Sequence, residues 1–232
     1  MEDIKDIENN IKNFYSYSGQ TWSSYEEVAN GIYVFHDLIP SVSVKMLEDV
    51  MSDTYNPYSY SKAMVGYQMH IPEYRDCLDF KYKKTDIEND NSISGMMLKK
   101  LWDMIYNKSL PAVKKYCEDF NIGELRYWES MNFVKYGPGQ HFQEHHDHGF
   151  SYNCVVSLVG YPNDDYEGGE IYFRRQGLEI KPKAGDLFVF PSNFMYPHRA
   201  MPVKSGNKYS IVTMLDYSDK FHKPEFYQET NS

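Results

Sequence analysis

His145, Asp147, His198 and Lys208 are the residues whose types and spacing carry chemistry in this chain. Successive side chains on a β-strand alternate between faces, so a His-x-Asp pair on a strand projects together. Its Cα atoms then stand ~6–7 Å apart, a gap that one metal ion bridges. With His198 as a second imidazole, the set is two neutral nitrogens and one carboxylate on one side of a metal. That set suits mononuclear iron and leaves the remaining positions open for a chelating cosubstrate and O2. His146 and His148 take the opposite face of the same strand. His141 shares Asp147's parity but lies roughly 20 Å away along an extended chain. Periodicity therefore selects His145 as Asp147's partner. Lys208, ten residues after His198, adds a cation of the kind a dicarboxylic cosubstrate needs at its far carboxylate.

The pair alone is weak, because a chain with eight histidines and 33 acidic residues in 232 carries about one His-x-(Asp/Glu) by chance. The weight comes from its surroundings. Tyr136-Gly-Pro-Gly139 is a turn leading into the His145 strand, and the apolar run Leu187-Phe-Val-Phe190 precedes Tyr196-Pro-His198.

Those elements imply an α+β fold, mainly β. From residue 126 onward, short strands alternate with turn residues: 128–136, 141–147, 152–159, 169–174, 178–181, 186–190, 197–203 and 208–217. Eight short strands without a long helix between them predict a double-sheet jelly roll or small barrel. Gly31–Phe35 reads as a further strand. Ser41 is placed to cap a helix with Val44, Leu47, Val50 and Met51 on one face. Met97, Leu101, Met104 and Ile105 keep helical spacing. Ser109 then reads as a fresh N-cap, with Pro111 in the first turn of a second helix carrying Val113, Tyr116, Cys117 and Phe120. The expected organisation is a polar flank at 1–30, helical support and a substrate-side excursion at 31–125, the catalytic jelly roll at 126–217, and a tail at 218–232. Residues 31–217 form a single domain in this reading.

Composition narrows the partners. The net charge of −9, with no lysine or arginine run, disfavours a nucleic-acid backbone as ligand. No stretch approaches the ~20 apolar residues of a membrane span. Three scattered cysteines and a polar, acidic start predict reduced thiols in a cytoplasmic protein. The 22 tyrosines are notable. Tyr55, Tyr58, Tyr60, Tyr67, Tyr74 and Tyr82 fit either packing or an aromatic groove that docks an extended peptide.

At the residues quoted above the chain resembles the 2-oxoglutarate/Fe(II)-dependent dioxygenases, most closely their prolyl 4-hydroxylase branch. The resemblance covers roughly residues 130–216. It takes in Tyr136 and its glycine turn, His145-x-Asp147, Glu167-Gly-Gly-Glu170, Lys181-Pro-Lys-Ala-Gly185-Asp, His198-Arg-Ala-Met-Pro-Val203 and Gly206-Asn-Lys208-Tyr. It implies a double-stranded β-helix (jelly roll) core in which His145, Asp147 and His198 hold Fe(II). Lys208, helped by the Tyr136 hydroxyl, would hold the far carboxylate of 2-oxoglutarate. It also implies O2 as co-reactant, ascorbate as reductant, release of succinate and CO2, and hydroxylation of an unactivated C–H bond. The favoured substrate is a prolyl or similar residue in a peptide or protein; a free amino acid or other small molecule is the alternative. Ile171 and Met214 stand where some relatives have Thr and Trp, and Ser151-Tyr152 where peptide-modifying members often carry an arginine. Arg174 and Arg175 read as a solvated strand end, with substrate contact as the alternative. The recognition surface is expected to combine residues 52–93 with the loop 160–168.

Two rival readings lie in other classes. A cupin-like metalloprotein would use His146-x-His148, and a non-catalytic jelly roll would inherit only the fold. A nucleic-acid demethylase is opposed by the acidic balance and by Lys208 and Met214 on the last strand.

Overall fold

The computed structural model describes residues 20–53, 57–65, 69–149 and 153–222. The N-terminal part of the polar flank (1–19), Tyr55, Tyr67, Ser151-Tyr152 and most of the tail (223–232) lie outside the described residues. Along the chain run β1 (Tyr25–Ala29), β2 (Ile32–Phe35), α1 (Val42–Ser52), β3 (Ser61–Lys62), β4 (Arg75–Asp76) and β5 (Leu78–Tyr82). Then come α2 (Lys84–Ile87), α3 (Ile93–Asp119), β6 (Tyr127–Trp128), β7 (Met131–Tyr136), β8 (His141–His145) and β9 (Val156–Gly160). The chain continues through β10 (Glu167–Gly168), β11 (Ile171–Phe173), β12 (Leu178–Ile180), β13 (Leu187–Pro191), β14 (His198–Ala200), β15 (Val203–Ser205) and β16 (Lys208–Asp216).

Among the described residues, a major sheet runs β1-β2-β13-β9-β16-β7-β5-β3, with β6 also on β16, and a minor sheet runs β12-β11-β14-β8-β4. The two face each other as a jelly roll, and the helices cover the outer face of the major sheet. Three layers result, because a sheet buried on both faces needs an apolar partner on each. On β16, Lys208, Ser210, Val212 and Met214 line the cavity between the sheets. The alternate residues Ile211 and Leu215 join Leu47, Leu101, Ile105, Val113 and Phe133 in the core under the helices. A second cluster, including Val34, Ile171, Phe173, Phe188 and Phe190, fills one end of the space between the sheets.

Phe133 is 2% exposed and stacks on Tyr82 at 5.7 Å between helix and sheet. Phe133→Ala is expected to lower unfolding stability by ~3–5 kcal/mol, read as a shifted denaturant midpoint.

Several local expectations change in three dimensions. The expected break at Ser109 is absent: α3 runs through Pro111 as one 27-residue helix. Its buried face continues across the proline, from Leu98, Leu101 and Ile105 to Ala112, Val113 and Tyr116. Packing of that stripe outweighs the ~3 kcal/mol a proline costs a helix interior. Ser92 caps this helix, accepting from the Gly95 amide at 3.0 Å. Ser41 does stand at the N-cap of α1, but its side chain makes no capping bond. Within the expected flank, residues 25–29 form β1, paired with β2, and Tyr25 stacks on Phe35 at 5.4 Å. The 52–93 excursion, expected to hold at most short strands, also carries the one-turn helix α2, and β5 joins the major sheet and β4 the minor one. No helix among the described residues is long and apolar enough to cross a membrane.

Candidate metal centre and cosubstrate pocket

Antiparallel pairing brings the distant histidine home. His198 on β14 is the Cα partner of His145 on β8, and the next pair is Ala200 with Phe142. Between these pairs one residue on β14, Arg199, opposes two on β8, Gln143 and Glu144, a bulge that turns Phe142 and His145 to the same side. Both line the cavity, and their rings stack at 3.6 Å. Asp147 is not on the strand as expected. β8 ends at His145, and Asp147 lies in a bend whose amide donates to the Ser192 carbonyl at 3.1 Å.

The three side chains meet. His145 Nε2 lies 3.6 Å from one Asp147 oxygen, and His198 Nε2 lies 3.8 Å from the other. Among the described residues this is the one group whose donor atoms, all within 4.8 Å of one another, suit a metal. The histidines are oriented from behind: Nδ1 of His145 faces the Gln143 carbonyl at 2.8 Å, and Nδ1 of His198 faces the Tyr196 carbonyl at 3.1 Å. Each carbonyl takes the Nδ1 proton and leaves the Nε2 lone pair for a metal. Burial, reinforced by the neighbouring His198, pushes His145 down to about 3, so its imidazole is neutral at ordinary pH. Ser157 donates to Asp147 Oδ2 at 2.5 Å and shares a hydrogen bond with Ser192 at 2.7 Å. Two imidazoles and one oriented carboxylate fit a ferrous ion. Ser157→Ala is expected to weaken divalent-metal affinity by ~10–100-fold, measured by Mn(II) titration.

Lys208 is the second feature. It is 1% exposed, and its ammonium donates to the Gly169 carbonyl at 2.6 Å, between the rings of Tyr136 (5.4 Å) and Tyr161 (5.1 Å). Burial, with help from nearby Lys181, drives its pKa down to about 7. A buried ammonium held by one carbonyl fits an incoming carboxylate. Tyr136 is the Cα partner of Lys208 and also lines the cavity, with its hydroxyl near the Cys77 thiol.

One cavity of about 430 Å³ contains the triad, Lys208 and Tyr136. Ile171 and Met214 are in its wall and give it apolar character there. The loop 160–168 turns inward rather than forming a recognition surface at its aromatic residues, since Tyr161 and Tyr166 are buried. Of the excursion, Met64, Val65, Tyr74 and Arg75 line the cavity, whereas Tyr58, Tyr60 and Tyr82 pack into the core. Arg174 and Arg175 are exposed, and Arg174 pairs with Glu144 at 2.8 Å. His146 and His148 are exposed, and His148 Nδ1 faces the Cys154 carbonyl at 2.9 Å. The cupin-like pairing therefore lacks a buried partner set.

Sequence reasoning missed Arg75. Its guanidinium stacks on Phe142 at 4.8 Å, bonds Asp79 at 3.1 Å and the Met64 carbonyl at 3.0 Å, and keeps a buried Nε without a partner. No spacing rule ties a residue in an irregular excursion to Phe142 on a strand 67 positions later. Pairing of β4 with β8 puts it there.

Residues 131–215 match the 2OG-Fe(II) oxygenase superfamily. The chain is 34% identical over 91 residues to procollagen-lysine,2-oxoglutarate 5-dioxygenase 2 of Homo sapiens, covering 37% of this chain and 12% of that protein. It is 26% identical over 186 residues to prolyl 4-hydroxylase 1 of Arabidopsis thaliana, covering 67% and 63%. The chain thus spans less than two thirds of either relative. In fold, it superposes on a prolyl hydroxylase from Trichoplax adhaerens, solved in complex with a hypoxia inducible factor oxygen degradation domain peptide fragment. That match has a TM-score of 0.60 and 16% identity, over 93% of this chain and 94% of the other. Sequence and fold agree on one likeness: residues 131–215 match the 2OG-Fe(II) oxygenase superfamily, and the chain is similar in sequence to a prolyl 4-hydroxylase and in fold to a prolyl hydroxylase.

Proposed function

We propose that this protein is a 2-oxoglutarate- and Fe(II)-dependent dioxygenase that hydroxylates a prolyl or similar residue in a peptide or protein. The observation that carries the reading is the single cavity joining a two-His, one-carboxylate cluster to a buried, otherwise unneutralised lysine. His145, Asp147 and His198 would hold Fe(II), which with 2-oxoglutarate and O2 supplies the oxidising chemistry and releases succinate and CO2. The chain's own part is placement. The Gln143 and Tyr196 carbonyls keep both imidazoles in the tautomer that presents Nε2. Ser157 holds Asp147 against rotation. Lys208 would hold the far carboxylate of the cosubstrate, with Tyr136 beside it, so that the oxo-acid end points at the triad.

Met214 lies six residues along β16 from Lys208, roughly 20 Å at strand rise, and both line the same cavity. That length leaves room for a substrate beyond the cosubstrate. The polar groups there are Asn132, the Lys81–Glu129 pair (2.7 Å) and Arg75. They suit a substrate presenting peptide N–H and C=O groups rather than a purely apolar one. Peptide and protein substrates, a reducing cytoplasmic setting and ascorbate as reductant belong to this proposal. The three cysteines are free and buried, which accords with a reducing compartment.

The deciding experiment supplies Fe(II), ascorbate and 2-oxoglutarate and follows succinate, then screens proline-containing peptides and free amino acids for the mass gain of one oxygen atom. No succinate with any substrate would refute the oxygenase reading. Oxygen gain on free amino acids alone would refute the peptide assignment.

A further inference from the structure

The segment Tyr166–Gly169 is held by two lysines from separate parts of the chain. Lys181, the residue after β12, donates to the Tyr166 and Gly168 carbonyls, both at 2.8 Å, with its Nζ 3.3 Å from the centre of the Tyr166 ring. Lys208 takes the Gly169 carbonyl at 2.6 Å. Three carbonyls of a four-residue segment thus serve two ammonium groups. The backbone has no slack: Gly168 and Gly169 have φ of +70° and +67°. A Cβ on Gly168 would meet the Pro202 carbonyl at 2.5 Å, and one on Gly169 would meet Lys208 Cδ at 3.0 Å. Gly169 is therefore a spacer that only a bare backbone fills, pressed against the stem of the lysine it aims.

The charges around the pair are few. Glu170 faces both lysines, and Asp164 and Glu167 face Lys181 from the solvent side. Tyr136, Tyr161 and Tyr166 enclose Lys208, and the Tyr166 hydroxyl is buried with no partner among the described residues.

We propose that Lys181 is a positioning residue for the cosubstrate: it locks the Tyr166–Gly169 backbone so that Gly169 aims the Lys208 ammonium into the cavity, and its charge makes the pocket take up a dicarboxylate together with a proton. The proposal rests on Lys208 as partner of the far carboxylate. Physically, an empty pocket confronts Lys208 with burial first and Lys181's like charge second, and both favour loss of its proton. A bound carboxylate reverses the balance and restores the charged lysine.

The test is calorimetric titration of 2-oxoglutarate into the full chain loaded with Mn(II). It is run in buffers of differing ionisation enthalpy at about pH 6 and about pH 8, either side of the Lys208 titration. Wild type should take up close to one proton per 2-oxoglutarate at the higher pH and little at the lower. Lys181→Met should lose about tenfold in affinity at the lower pH, the scale on which orienting partners act. Its deficit should shrink at the higher pH, because Lys208 relieved of its neighbour keeps its proton longer. Lys181→Arg, which keeps the charge, should keep the wild-type pH dependence. Equal affinity of Lys181→Met and wild type, or an identical loss at both pH values, would overturn the proposal. If Lys181→Met does not fold, wild-type binding without proton uptake at the higher pH overturns it equally. Lys208→Ala separates the two levels: if it binds 2-oxoglutarate like wild type, the cosubstrate assignment itself fails. If it binds poorly while Lys181→Met behaves as wild type, only the role of Lys181 falls.

Discussion

Replacing His145 with alanine is expected to abolish Fe(II)-dependent turnover of 2-oxoglutarate and to weaken metal binding by more than about 100-fold. That exceeds the 10–100-fold that outer partners of metal ligands carry, because a ligand itself is removed. His145 is 16% exposed, 3.6 Å from Asp147, and fixed from behind by the Gln143 carbonyl, so no neighbouring side chain can take its place without refolding β8. The control is one residue away. His146 is exposed and outside the donor cluster, and His146→Ala should retain wild-type metal affinity. Metal titration of the two variants decides the matter: equal losses would mean that the ion sits elsewhere.

The second large effect is expected at Lys208. Lys208→Ala should weaken 2-oxoglutarate binding by roughly 10²–10³-fold, since removing one partner of a buried ion pair costs ~3–5 kcal/mol. A loss under about threefold would assign the far carboxylate to another residue. The same lysine makes a prediction for the ligand-free protein. Its pKa is about 7 folded against an ordinary 10.5, so between those values the unfolded chain holds a proton that the folded chain lacks. Stability therefore rises with pH across that window, and below it the buried charge burdens the fold. Urea midpoints compared between wild type and Lys208→Met, from about pH 7 to about pH 9, should show the rise only in wild type.

Much of this site is written in short-range pattern. Strand parity put Lys208, Ser210, Val212 and Met214 on one face of β16, and all four line the cavity. Parity also singled out His145 among four clustered histidines, although Asp147 reaches the site from a bend after the strand rather than from the strand. The turn residues before β8 and β11 are visible for a local reason too: Gly139, Gly168 and Gly169 take left-handed conformations that glycine adopts at least cost. Where long-range packing competes with a local signal, the local signal lost. Pro111 and Ser109 read as a helix boundary, yet α3 runs through them because its apolar stripe is continuous against the sheet.

The amino-acid order alone determines the donor types, their alternation along each strand and the fold class, since all three follow from side-chain chemistry and a two-residue period. Only the tertiary structure decides the rest. It pairs His198 with His145, inserts the bulge that turns Phe142 and His145 inward together, delivers Arg75 through β4, and folds Tyr161 and Tyr166 around Lys208. Each of these is a contact between segments far apart in sequence. Their geometry is set by sheet pairing and burial, which no window of neighbouring residues contains.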